Sequence, residues 1–222
     1  MTAIVIEEGG FVDKFVGDEI VAIFGAPQDL PDHALRATTA ALRMQERIRD
    51  LQGAFERIGC PGEIFSRTGL STGPLVVGNM GSEMRMNYTA MGDVMNLGAR
   101  LEGANKIYDT RVLATQATRD AAGAGLAFRE LDRVRVKGKD KPVAIFELIG
   151  RPPLAATVED RVRRFEQALQ LYRQGRFDPA AELFCALATE GDAPSEVFAE
   201  RCRDLAASPP YDWDGVYVMD TK

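Results

Sequence analysis

The sequence predicts an α+β fold, with a sheet on one side and helices on the other, followed by a helical tail. Up to about residue 150, strand-like runs alternate with helical segments, which is the pattern expected of such a fold. Arg151-Pro152-Pro153 then has the composition of a linker, and the pattern beyond it is helical. We therefore predict a domain over residues 1–150 and a tail over residues 151–222.

Composition and charge exclude several classes of protein. The hydrophobic share of 45% suffices for a packed core, and the net charge of −6 argues against a nucleic-acid-binding surface. Three scattered cysteines indicate a reducing compartment, and a single histidine with no close cysteine pair argues against structural zinc.

The N-terminal apolar stretch, residues 2–6, is too short for a signal peptide, and no segment is long enough to span a membrane. We expect the chain to be cytoplasmic. A longer parent protein could still be tethered to a membrane through sequence outside these 222 residues.

A β-hairpin is predicted near the N-terminus. Two apolar runs flank Gly17-Asp18, a dipeptide that supports a tight turn, and the run Ile20 to Phe24 is expected to be a buried central strand. Lys14 and Asp18 would then lie at a protected end of the sheet, where a carboxylate can hold Mg²⁺ or Mn²⁺. Taken alone, turn chemistry for Asp18 and a solvated strand edge for Lys14 explain these residues better.

A second strand, Met86 to Met91, ends at Gly92 and leads into a helix for which Asp93 is the expected N-cap. The core face of that helix is predicted from helical spacing to contain Val94, Leu97 and Leu101.

Another face of the same helix contains Asn96 and Arg100, which are four residues apart. An amide beside a guanidinium suits a charged, oxygen-rich group such as phosphate. From spacing alone, an exposed helix with one solvated arginine is the favoured explanation.

The remaining elements follow from periodicity. A long amphipathic helix over 32–58 is predicted to place Leu35, Thr39, Leu42 and Ile48 inside. A short strand over 111–115, a short helix over 116–122 and strand-like runs over 128–149 complete the domain. The tail contains one tetratricopeptide-type helical hairpin and a third helix, and it should pack on the domain or on a partner chain because one repeat cannot bury its own face.

Four stretches in order resemble the class III nucleotidyl cyclase catalytic domain, the adenylate and guanylate cyclase family. They are GGFVDKFVGDEIVAIFGAP (9–27), PDHALRAT (31–38), STGPLVVGNMGSEMRMNYTAMGDVMNLGARLEG (71–103) and LDRVRVKGK (131–139).

The resemblance implies a ferredoxin-like sandwich with an antiparallel-rich sheet, here without the first strand and its metal-binding aspartate. Family members begin with a strand of the form F-x-D-I-x-G-F, whereas this sequence starts at what looks like the helical segment after it. We expect a sheet edge or gap in consequence.

The resemblance also implies conversion of ATP to 3′,5′-cyclic AMP and pyrophosphate with two Mg²⁺ or Mn²⁺ ions. Asp18 matches the second metal aspartate, and Asn96 and Arg100 match the pair that positions the ribose and stabilises the α-phosphate. Lys14 and Thr89 match the base-reading positions in the form found in adenylate cyclases. Lys137 or Lys139 would meet the terminal phosphates.

Family sites form between two chains, so the resemblance implies a homodimer or a heterodimer with another cyclase chain. Without the first aspartate, we expect impaired activity in a homodimer. Three alternatives stay open: a catalytically inactive nucleotide-binding or regulatory homologue, a guanylate cyclase, and a helical interaction module on a degenerate cyclase fold.

Overall fold

The computed structural model describes residues 1–135 and 142–218. The helices of this part of the chain are α1 (Thr2–Glu7), α2 (His33–Arg57), α3 (Asp93–Tyr108), α4 (Gln116–Ala122), α5 (Ala156–Arg173), α6 (Phe177–Thr189) and α7 (Ala193–Ala207). Its strands are β1 (Phe11–Val16), β2 (Glu19–Ile23), β3 (Thr68–Leu70), β4 (Val76–Ser82), β5 (Arg85–Met91), β6 (Val112–Thr115), β7 (Ala127–Arg135), β8 (Val143–Gly150) and β9 (Tyr217–Val218).

These strands form one five-stranded sheet and two separate hairpins. The large sheet has the order β3-β6-β8-β7-β9, with antiparallel pairs in its centre and a parallel pair at each edge. The hairpins are β1-β2 and β4-β5. The α+β class is therefore confirmed, and antiparallel pairing predominates as predicted.

Helices cover both faces of the large sheet rather than one. On β6, Val112 packs with residues of α2, whereas the next residue, Leu113, packs with residues of α3 and the tail. Because successive side chains of a strand point to opposite faces, α2 and α3 lie on opposite sides. This sandwich of helix, sheet and helix refines the predicted arrangement.

The hairpin β1-β2 forms around Gly17-Asp18 as predicted, but the expectation that residues 20–24 make a buried central strand is wrong. Strand β2 pairs with β1 alone among the described residues, and within β2 only Ile23 is fully buried. Its second edge lies along a cavity of about 620 Å³ whose other wall includes β3. An apolar run predicts burial, but it does not reveal how many strands pair with β2 within the described residues.

That cavity lies between two strand edges. The two strand edges that border it, in β2 and β3, each have one paired neighbour within the described ranges. Residues of α2 and α3 also line the space.

Helix α2 matches the predicted long helix, but the residues that it buries differ from those predicted. Its fully buried residues are Ala34, Thr38, Ala40, Ala41 and Ile48. Of the predicted inner residues, Ile48 is buried while Leu35, Thr39 and Leu42 are half-buried. The small residues face inward because they let the helix approach the sheet closely, whereas the leucines border the interface.

The tail packs on the sheet domain and shares one core with it. Buried residues of α5, α6 and α7, including Phe165, Phe184 and Phe198, join a cluster that also contains Leu113 of β6 and Ile145 of β8. The third helix and the hairpin are present as predicted. The boundary at residue 150 remains a prediction, since both sides of it contribute to this core.

The segment after α7 folds back against the tail. The indole nitrogen of Trp213 donates a hydrogen bond of 3.0 Å to the backbone oxygen of Tyr172, and its ring contacts the rings of Tyr172 and Phe177 edge-on. Strand β9 then pairs with β7, so the end of the described chain is fixed to the large sheet.

A buried charge cluster joins the tail to the domain. Asp132 of β7 is fully buried and accepts hydrogen bonds of 2.6 Å from Arg201 of α7 and from the Tyr108 hydroxyl of α3. Burial, together with the Asp132 carboxylate, raises the pKa of Tyr108 well above its ordinary value. Tyr108 therefore remains a neutral donor to Asp132.

No helix within residues 1–135 and 142–218 is long and apolar enough to cross a membrane.

Replacing Arg201 by Met tests the importance of the charge cluster. The change leaves the Asp132 carboxylate buried without its ion-pair partner, so the free energy of unfolding should fall by about 3–5 kcal/mol. Urea unfolding followed by circular dichroism measures this loss. Arg163→Met, at an exposed ion pair with Asp160, is the matched control and should cost less than about 1 kcal/mol. Equal losses for the two variants would contradict the prediction.

Candidate functional site

The two hairpins meet at a polar contact between β1 and β5. The Lys14 ammonium lies 3.2 Å from the Thr89 hydroxyl, although 75 residues separate them in the sequence. Beside them, the rings of Phe11 and Tyr88 pack edge-on with centroids 5.6 Å apart. The structure therefore brings together the two residues predicted to read the base.

Asp13 completes this cluster, although it is not among the site residues predicted from the sequence. Its carboxylate accepts a 3.0 Å hydrogen bond from the Thr89 hydroxyl and lies 3.1 Å from the Lys14 ammonium. The Asp13 side chain is 1% exposed, whereas that of Lys14 is 49% exposed. An acidic residue within an apolar strand was the available signal, because a buried carboxylate needs partners.

A β-bulge explains how consecutive residues reach the same hydroxyl. In β1, Val12 pairs with Ala22 and Lys14 pairs with Val21, which leaves Asp13 as the extra residue. On a regular strand Asp13 and Lys14 would point to opposite faces. The bulge re-aims one of them, so that both side chains converge on β5.

Asn96 and Arg100 lie together on the exposed face of α3, one turn apart, as predicted. The opposite face contributes Leu97 and Leu101 to the core, and Val94 is half-buried. The described part of the chain contains no hydrogen bond or ion pair between Asn96 or Arg100 and the Lys14–Thr89 cluster. Within one chain these are therefore two separate groups.

The predicted N-cap of α3 is wrong by one residue. Gly92 occupies the cap and Asp93 is the first residue of the helix. Gly92 has a φ of 153°, a conformation that favours glycine, and it lets the chain turn directly from β5 into α3. The Asp93 carboxylate lies in the first turn, where the helix dipole favours negative charge.

Gly69 of β3 allows α3 to pack closely against the sheet. A Cβ atom at Gly69 would lie 2.0 Å from the Gly98 carbonyl oxygen and 2.4 Å from the Glu102 backbone nitrogen. Only a residue without a side chain allows this approach, so Gly69 determines the distance of α3, and thus of Asn96 and Arg100, from the sheet.

Asp18 lies in the turn between β1 and β2 and lines the mouth of the 620 Å³ cavity. It is exposed, as is Lys14 in large part, so the predicted protected position for these residues is wrong. A two-stranded hairpin without a further neighbour leaves its turn open to solvent.

The donor chemistry at Asp18 fits a divalent cation in part. Its carboxylate oxygens suit Mg²⁺ or Mn²⁺, and Mg²⁺ is often held by one or two carboxylates together with water and substrate phosphates. Among the described residues, no three His, Cys, Asp or Glu side chains come together. Asp18 thus offers one ligand and not a complete coordination set. Lys137 and Lys139 lie outside the described residues.

Comparisons with known proteins agree with the motif pattern. The family model described as "Adenylate and Guanylate cyclase catalytic domain" matches residues 11–149. The chain is 32% identical over 205 residues to "Adenylate cyclase, terminal-differentiation specific" of Dictyostelium discoideum, covering 89% of this chain and 10% of that protein. It is 37% identical over 147 residues to "Adenylate cyclase 1" of Rhizobium meliloti, covering 66% of this chain and 22% of that protein.

Solved structures show the same fold. The adenylyl cyclase CyaB from P. aeruginosa matches with a TM-score of 0.61 and 30% identity, covering 69% of this chain and 79% of that one. The guanylyl cyclase Cya2 matches with a TM-score of 0.60 and 31% identity, covering 70% and 77%. The chain spans only 10% and 22% of the length of the two curated relatives described above.

Replacing Gly69 by Ala tests whether the close packing of α3 on β3 stabilises the fold. Because the added methyl group would overlap backbone atoms of α3, the free energy of unfolding should fall by at least about 2 kcal/mol. The matched control is Gly103→Ala, on α3 itself, where a Cβ atom meets nothing within 4 Å. That substitution should stabilise the protein by about 0.5–1 kcal/mol. If Gly69→Ala unfolds at the same urea concentration as the unmodified chain, α3 is not held in this way.

Proposed function

Because the chain belongs to the adenylate and guanylate cyclase catalytic-domain family, we propose that it binds ATP and contributes to its conversion into 3′,5′-cyclic AMP and pyrophosphate. The observation that carries this proposal is the Lys14–Thr89 contact across the two hairpins. A lysine ammonium offers only donors, which suit the acceptor N1 of adenine, and a threonine hydroxyl can accept from the 6-amino group.

The proposed chemistry is an internal displacement. The ribose 3′-hydroxyl attacks the α-phosphorus of the same nucleotide, a new P–O bond forms, and pyrophosphate leaves. Asn96 orients the ribose, and Arg100 stabilises the negative charge that develops on the α-phosphate oxygens. Lys14 and Thr89 hold the base. Asp18 is the proposed ligand for Mg²⁺ or Mn²⁺, which when bound neutralises phosphate charge and favours ionisation of the hydroxyl.

A two-chain site accounts for the separation of these groups. Apolar side chains are exposed on both hairpins, among them Phe15 (62%), Met86 (58%) and Met91 (59%). Exposed apolar groups gathered on neighbouring elements are typical of a protein interface. We propose that this surface binds a second copy of the chain or another cyclase chain, so that Asp18 of one protomer serves the same site as Asn96 and Arg100 of the other.

A second candidate function is nucleotide binding without turnover, as in a regulatory homologue. The Lys14–Thr89 contact is compatible with this function, because binding of the base does not require a metal ligand. Guanylate cyclase activity is less well supported, since Lys14 with Thr89 is the pairing that resembles adenylate cyclases.

Turnover of ATP tests the proposed function. Purified chain with Mn²⁺ should form cyclic AMP, and Arg100→Ala should lower kcat at least about 100-fold, because a group that acts on transition-state charge is lost. Asp18→Ala should abolish turnover by removing the metal ligand. Arg49→Ala and Asp29→Ala remove an exposed arginine and an exposed aspartate elsewhere and should leave the rate unchanged.

The outcome separates the candidate functions. ATP binding without cyclic AMP formation would favour the regulatory homologue. Cyclic AMP formation that survives Arg100→Ala and Asp18→Ala would contradict the proposed roles of these residues.

Complementation tests the two-chain site. The Asp18→Ala variant of this chain is mixed with an intact cyclase domain whose own Asn/Arg pair has been replaced by Ala, so that neither partner is active alone. We expect cyclic AMP formation to appear on mixing, because the intact partner supplies both metal aspartates while this chain supplies Lys14, Thr89, Asn96 and Arg100. Adding Arg100→Ala to this chain should remove the restored activity. No activity in the mixture would refute the shared site.

A further inference from the structure

We infer that Asp13 is a positioning residue that fixes the direction of the Thr89 hydroxyl and thereby makes the site select a 6-amino purine over a 6-oxo purine. The inference rests on the proposed function, because it assumes that Thr89 faces the base of a bound nucleotide. It adds Asp13, which is not among the site residues predicted from the sequence, and it names a physical cause for base selection.

The direction of the hydroxyl follows from the partners of Thr89. The Asp13 carboxylate, paired with the Lys14 ammonium, can only accept hydrogen bonds, so the hydroxyl hydrogen of Thr89 points to it over 3.0 Å. The Lys14 ammonium can only donate, and at 3.2 Å it occupies one lone pair of the same oxygen. The Thr89 hydroxyl oxygen still has a second lone pair, which can accept a hydrogen bond from the base.

Burial makes this direction costly to reverse. The Asp13 side chain is 1% exposed and Thr89 is 8% exposed, so water cannot readily replace their mutual hydrogen bond. A hydroxyl that rotated outward would leave the carboxylate with one partner fewer in a region of low dielectric. Thr89 therefore acts as a fixed acceptor and not as a group that adapts to either base.

A fixed acceptor distinguishes the purines at position 6. Adenine presents an amino group there, which donates, whereas guanine and hypoxanthine present a carbonyl oxygen, which accepts. The amino group can bond to Thr89, while a carbonyl oxygen would face another acceptor and remain unpaired. Selection then arises mainly from rejection of the 6-oxo base.

Asp13→Asn is the sharpest substitution because it keeps the size of the side chain and removes its charge. The amide NH₂ group can donate to Thr89, which frees the hydroxyl hydrogen to point toward the base. The variant should therefore tolerate a 6-oxo purine. A purely structural role of Asp13 would instead weaken the binding of all nucleotides equally.

Equilibrium binding gives a readout that does not depend on turnover. The probes are the non-cyclisable α,β-methylene analogues of ATP and GTP with Mn²⁺, and the measured quantity is the ratio of their Kd values. Asp13→Asn should lower the preference for the ATP analogue about tenfold, the change that one ordinary hydrogen bond carries. Asp29→Asn makes the same change at an exposed position and should leave the ratio unaltered.

A double-mutant cycle shows whether Asp13 acts through Thr89. Thr89→Val removes the hydroxyl with little change in shape and should also reduce the preference, while Thr89→Ser should keep it. In the Thr89→Val background, Asp13→Asn should have no further effect on the ratio. Additive effects of the two substitutions would overturn the inference.

The unmodified chain provides a test that does not depend on folding of a variant. Binding should weaken in the order ATP, purine riboside triphosphate, inosine triphosphate. Position 6 of the base carries a hydrogen-bond donor in ATP, only a hydrogen atom in the purine riboside compound, and an acceptor in inosine triphosphate. Inosine triphosphate that binds as tightly as the purine riboside compound would overturn the inference.

Failure of the inference is distinguishable from failure of the proposed function. If Thr89→Val reduces the preference and Asp13→Asn does not, Asp13 has no role in selection, while the proposed function stands. If the unmodified chain binds none of these nucleotides, the proposed function and the inference fall together.

Discussion

The hydroxyl of Thr89 is the contact on which the arrangement of the two hairpins depends. Asp13 and Lys14 reach it from consecutive positions on β1, which the β-bulge at Asp13 makes possible. Because the Asp13 side chain is buried, a shift of β1 against β5 would cost its carboxylate the hydrogen bond that it accepts from Thr89. A polar contact thus sets the register between two hairpins that share no strand pairing, and the ring contact beside it adds apolar packing.

A second constraint holds α3 at its middle and at its C-terminal end. At its middle, Gly69 lets the helix backbone approach β3 closely, and at its C-terminal end Tyr108 donates to the Asp132 carboxylate that also binds Arg201 of the tail. The helix that presents the residues proposed to bind the ribose and the phosphate is therefore held beside these residues and again at its C-terminal end. Such rigidity favours catalysis when groups must be placed before charge develops. The tail contributes to this support as part of one core.

Local chemistry in the sequence was sufficient for most elements. The turn at Gly17-Asp18, the helix that contains Leu97 and Leu101, and the strand-rich segments each follow from short-range patterns that the structure confirms. Features that depend on distant neighbours were not predictable in this way. The exposure of β2 depends on how many strands pair with it, and the position of the Asp13 side chain depends on one extra residue in a strand pairing. Whether Asn96, Arg100 and Asp18 have the roles that the resemblance implies stays a prediction.

The most direct measurement of the central claim is methyl NMR of threonine-labelled protein during titration with the non-cyclisable ATP analogue and Mg²⁺. If Lys14 and Thr89 bind the base, the Thr89 methyl resonance should shift progressively to saturation. The methyl resonances of Thr118 and Thr189, which lie in other elements, should remain in place. A saturable shift confined to Thr89 is the result that this account predicts. Saturable nucleotide binding that leaves the Thr89 resonance unmoved would contradict it, since the base would then lie elsewhere.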